Sequence, residues 1–71
     1  MTEQQRKAFR RNIKHLMIDK NVTQHEIASA ANVSDQFLSR VISGVKKPPF
    51  DVVIDIANKL GVTVDDLITL K

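Results

Sequence analysis

Residues 23–44, TQHEIASAANVSDQFLSRVISG, decide how this chain is read. Thr23 followed three residues later by Glu26 is a capping box, in which hydroxyl and carboxylate satisfy backbone amides that a helix start leaves without partners. Ile27, Ala28 and Ala31 follow at the spacing of one helix face. Asn32 interrupts that helix, and asparagine is the next best residue after glycine at positive φ. Ser34 opens another helix, with Asp35 in its first turn, where the positive end of the macrodipole favours a carboxylate. Leu38, Val41 and Ile42 form its inward stripe, and Gly44 stops it. The unit is therefore two short helices joined by a turn of about three residues. So short a connection needs a small residue where the helices touch, a positive-φ residue in the turn and an apolar plug after it. Ala28, Asn32 and Val33 meet these needs together, which a random amphipathic pair would rarely do.

The flanks are helical as well. Phe9, Ile13, Leu16 and Met17 recur at helical spacing and predict a first helix over about residues 3–20. Thr2 caps it, with Gln5 reaching back, and Asn21 ends it. Residues 45–49 hold two prolines, which cannot donate backbone hydrogen bonds, and read as a connection. A fourth helix is expected over residues 50–60, stopped by Gly61, and Thr63 with Asp66 opens a short fifth one. No stretch alternates apolar and polar residues as a half-buried strand does. The expectation is an all-α, compact five-helix single domain over residues 1–71, with a helix-turn-helix at about 24–43.

At 71 residues the chain buries only about 60–65% of its unfolded surface, so a partner subunit would add to a limited core. Cysteine is absent, which removes disulfides and thiolate metal sites. No signal-like or membrane-length apolar run is present, and a soluble, cytoplasmic protein is expected. The net charge of +3 is unevenly spread. Residues 1–47 hold nine of the eleven Lys and Arg and four acids, whereas residues 48–71 hold two bases and four acids. A basic part that meets phosphate, with an acidic tail facing elsewhere, is one reading; a solvated surface is the other.

The order of these pieces resembles the Xre/Cro-type, lambda-repressor-like helix-turn-helix family over roughly residues 9–70. The marks are Thr23-Gln24-x-Glu26-Ile27-Ala28, Val33-Ser34, Leu38-Ser39-Arg40, Ser43-Gly44, Pro48, and the run from Ile56 through Leu60-Gly61-Val62-Thr63-Val64-Asp65-Asp66-Leu67. Two departures stand out. Asn32 replaces the turn glycine common in the family. Met17 and Ile42 stand where the family often pairs an arginine with a glutamate. Replacing both members of an ion pair by apolar residues need not cost stability, so a Met17–Ile42 contact is expected.

The resemblance implies that the helix of about residues 35–43 enters the major groove N-terminus first. Base contacts then fall to Ser34, Asp35, Gln36, Phe37, Ser39 and Arg40. Gln36 suits adenine and Arg40 suits guanine, each bidentately. Asp35 either accepts from a cytosine amino group or only caps the helix. Phe37 is expected to be partly exposed, against a thymine methyl or the sugar edge. Phosphate contacts are assigned to Gln24 at the start of the second helix, to Ser43, Lys46 and Lys47 after the recognition helix, and more weakly to Arg10, Arg11 and Lys14. Two copies on a two-fold operator would supply the specificity that one copy lacks. Val62, Val64, Leu67, Ile68 and Leu70 exceed what one short terminal helix buries, so some of them are expected in a homodimer contact; the other reading is that all pack on the first and fourth helices.

Catalysis is not expected, because few polar groups converge. His15 and His25 lack a shared-ligand spacing, and neither a metal nor a cofactor nor a small-molecule ligand is implied. His25 is read as exposed, and Asp65-Asp66 as complementing a helix dipole. The partner expected is a double-stranded DNA operator, bound by a transcriptional repressor. The rival is a module of the same fold that binds protein instead, such as an antirepressor or antitoxin component.

Overall fold

Each helix begins at a residue whose side chain accepts a hydrogen bond from the first turn, with one exception; two end at a left-handed glycine, and two more are followed, one residue past the cap, by a left-handed asparagine. The computed structural model describes residues 1–69, within which lie α1 (Glu3–Asp19), α2 (Gln24–Ala30), α3 (Asp35–Ser43), α4 (Phe50–Leu60) and α5 (Val64–Ile68). Thr2, Thr23 and Thr63 cap α1, α2 and α5 in reciprocal boxes with Gln5, Glu26 and Asp66, and Ser34 caps α3. Pro49 opens α4 without a side-chain bond; it is Phe50 that takes the first helical position. Asn21 and Asn32 adopt φ of 55° and 57°, and Gly44 and Gly61 follow α3 and α4 at 89° and 70°. No strand occurs among the described residues.

One apolar core collects the inward stripes. Phe9 and Ile13 come from α1, Ile27 and Ala28 from α2, and Leu38, Val41 and Ile42 from α3; Val52, Val53, Ile56, Ala57 and Leu60 come from α4. Met17 packs against the cluster that contains Ile42, so both members of the expected apolar pair turn to the same core. No polar residue is buried as a whole among the described residues, although the Nε of the half-buried Arg6 is covered without a hydrogen-bond partner.

Helix α5 corrects one expectation. Leu67 is 0% exposed and belongs to this core, so it is unavailable to a second copy. Burying such a side chain stabilises the fold by about 1.5–3 kcal/mol, which α5 needs because five residues form no helix alone. Val62, Val64 and Ile68 are half-buried against the same cluster, and Leu70 lies outside the described residues. A side chain of α1 fixes α5 further. Asn12 Nδ2 donates towards the carbonyls of Asp66, Leu67 and Thr69 at 3.1, 2.9 and 2.9 Å, meeting acceptors that the helix end leaves open.

Candidate nucleic-acid interface

The period of 3.6 residues divides α3 into two faces. With Leu38, Val41 and Ile42 turned inward, Gln36, Ser39, Arg40 and Ser43 are exposed on the outer side. Helix α2 cannot cover them, because Asn32 turns the chain directly after Ala31 and Ala28 lets the two helices approach closely. The backbone N–H of Val33 returns to the carbonyl of Ala28 at 3.0 Å, closing the turn and setting Val33 against the core. A polar helix face is thus presented to solvent by a short, heavily hydrogen-bonded unit.

The start of α3 carries more contacts than the sequence suggests. Ser34 Oγ accepts from the N–H of Phe37 at 3.0 Å. The carboxylate of Asp35 lies with both oxygens 3.0 Å from Nδ1 of His25, a residue of the first turn of α2. Gln24 Nε2 also reaches across the turn, to the Asp35 carbonyl at a long 3.4 Å. The first turn of α2 therefore clasps the first residue of α3 through both side chain and backbone. The adjacent Glu26 has its carboxyl pKa lowered, chiefly because the Thr23 amide and then its hydroxyl bond the ionised form; Lys59 and His25 add smaller attractions.

Beyond the C-terminal end of α3 the cations gather. Phe37 is half-buried, and the Lys46 ammonium stands 5.2 Å from its ring centroid, a cation–π distance. Arg10 of α1 lies across Gly44: its Cδ, Nε and Cζ come within 3.2 Å of the point a Cβ there would occupy. Arg10 and Lys46 also line one depression with Gly44 and Pro48. Ser43 is exposed, its hydroxyl donating to the Arg40 carbonyl at 3.1 Å, and Lys47 is exposed.

Of the expected phosphate set on α1, Arg10 joins two places: it lies against Gly44 at the end of α3, and with Arg11, Lys14, Lys7, His15, Ile18 and Asp19 it lines an open groove whose walls come wholly from α1. Sequence reasoning missed the His25–Asp35 pair, the cation over Phe37 and the seat of Arg10 on Gly44. All three join residues whose proximity is created by the turn or by the packing of α1, and no periodicity encodes them. Among the described residues no cluster of three His, Asp or Glu could hold a metal ion, and no helix is long and apolar enough to cross a membrane.

Comparison with known proteins adds a family. The pattern described as helix-turn-helix matches residues 13–67, well over half of the chain. No curated protein and no solved structure matches it.

Proposed function

The chain belongs to the Xre/lambda-repressor-like helix-turn-helix family, a DNA-binding family, and from that premise we propose that it is a transcriptional repressor that binds a palindromic operator as a dimer through the major groove. The observation that carries this reading is the outer face of α3, where Gln36, Ser39 and Arg40 stand exposed together while the same helix is held from behind by the core. Gln36 and Arg40 can each bond a base edge at two points, to adenine and guanine respectively. Ser34 and Ser39 offer hydroxyls that suit either donor or acceptor, and Phe37 offers an apolar edge to a thymine methyl. Gln24, Ser43, Lys46 and Lys47 flank this face and suit phosphate, with Arg10 beside them. Arg11 and Lys14 take a lesser part, because it is Arg10 that lies against Gly44 at the end of α3. Of the apolar residues near the C-terminus, Val62, Val64 and Ile68 retain outward surface for a dimer contact, while Leu67 does not.

Selection of bound duplexes from random DNA tests the reading. A palindrome with half-sites about one helical turn apart is expected. Arg40→Ala should relax preference at one base pair, at a cost of about 1–3 kcal/mol there. Lys47→Ala should weaken all duplexes alike and lower the salt slope by about 0.9. Selection that enriches no sequence, with no salt-dependent affinity, would leave the protein-binding module as the better account of this fold.

A further inference from the structure

The carboxylate of Asp35 brings a negative charge to the leading end of α3. Asp35 is the first residue of α3, the end expected to lead into a groove walled by phosphates, and its side chain is 59% exposed. Like charges brought together across an interface oppose binding. His25 meets this carboxylate at Nδ1, 3.0 Å from each oxygen, and its own side chain is 78% exposed, so the imidazole has open surface beyond that contact.

We propose that His25 is the residue that makes Asp35 compatible with DNA, by bridging the carboxylate through Nδ1 to a backbone phosphate through Nε2, and that the duplex therefore binds with uptake of a proton at His25. The inference rests on the DNA-binding reading and deepens it. A neutral imidazole carries one N–H: with the hydrogen on Nδ1 it can donate to Asp35 but presents a lone pair outward, and with the hydrogen on Nε2 it presents a lone pair to the carboxylate. Donating to both anions at once requires both N–H groups, which is the imidazolium. That form also cancels the charge of Asp35. A second anion arriving at the ring favours this doubly protonated form. Glu26 follows His25 on α2 and is attracted by it, and Lys59 of α4 attracts Glu26 as well. The proton joins the imidazole from solvent and no bond between heavy atoms changes.

Protons taken up on binding make affinity rise as pH falls, by at most about tenfold per pH unit for one linked proton. Anisotropy of a labelled duplex, first of random sequence and then of the selected operator, is read at fixed ionic strength from pH 8 to 5.5. A gain of about three- to tenfold is expected for the wild type between pH 8 and 6. His25→Gln still donates to Asp35 at every pH but accepts no proton, so its affinity should stay flat. His15→Gln, changed on the exposed side of α1, should keep the wild-type slope. Asp35→Asn removes the repulsion itself and should bind more tightly than wild type at pH 8, with a reduced slope. A clasp that only holds α2 to α3 gives a different pattern: His25→Gln and Asp35→Asn would both bind more weakly by a constant factor at all pH values, and that result overturns the proposal. Wild-type affinity that does not vary with pH overturns it too, while leaving the DNA-binding reading intact. Absence of binding at every pH overturns both.

Discussion

A single side chain beyond the backbone is enough to disturb this surface at Gly44. Its φ of +89° lies in the region that L residues avoid, and a Cβ there would stand 3.2 Å from three atoms of the Arg10 side chain. Gly44→Ala should therefore combine about 1–2 kcal/mol of backbone strain with displacement of Arg10 from the end of α3. Chemical denaturation reads the first effect, and the salt dependence of duplex binding reads the second. Asn32→Gly is the contrasting change. At φ 57° asparagine already occupies a left-handed position, so the glycine variant should fold with stability near that of wild type. A Gly44→Ala protein of unchanged stability and salt slope would show that Arg10 and the backbone both adjust freely. Residue by residue, the sequence reveals positions whose role is local. Asn32, Gly44 and Ser34 announce themselves by type and place. His25 does not, because a histidine ten residues before an aspartate signifies nothing until the turn folds them together.

The capped helix starts show why element boundaries were so legible. Thr2 with Gln5, Thr23 with Glu26 and Thr63 with Asp66 each close their hydrogen bonds within three residues, so sequence alone contains the whole motif. The tie from Asn12 to the end of α5 spans more than fifty residues and leaves no local trace. The box at α2 has a measurable acid dependence. Glu26 is bonded in its ionised form by the Thr23 amide and hydroxyl, which holds its pKa below the ordinary 4.5. A carboxyl depressed in the folded state contributes stability above its unfolded pKa and loses it as pH falls through the folded value. Glu26→Gln preserves an N3 side chain able to accept from the Thr23 amide but does not titrate. Melting temperatures followed from pH 7 to pH 3 should show the wild type above the variant near neutrality, with the gap closing below about pH 4.5. Parallel curves would place the acid sensitivity of the fold elsewhere.

For the molecule as a whole, the charge asymmetry and the count of apolar residues were both visible in the sequence, yet only the packing shows what is left to spend on a second copy. A count of five C-terminal apolar residues suggests that some serve a dimer contact, but a five-residue α5 holds its place on α1 and α4 by burying Leu67 completely. Val62, Val64 and Ile68 therefore offer only their outer edges. Meanwhile Val45 is 79% exposed and Phe50 69%, an apolar pair flanking the α3–α4 connection whose exposure no periodicity foretells. A dimer that matters should bind a full palindrome far more tightly than two independent half-sites would, so the ratio of full-site to half-site affinity isolates the contact between copies from the contact with DNA. Val64 occupies the first position of α5, where a carboxylate is favoured by the helix dipole, so Val64→Glu can charge the face without dismantling the helix. The variant should keep half-site affinity within about twofold, a change of only about 0.4 kcal/mol, while losing the full-site advantage. Phe50→Glu makes the same insertion at the first position of α4. If that change, and not Val64→Glu, abolishes the advantage, the copies meet through the side of the molecule that follows the recognition helix, and the edges of Val62, Val64 and Ile68 serve the monomer alone.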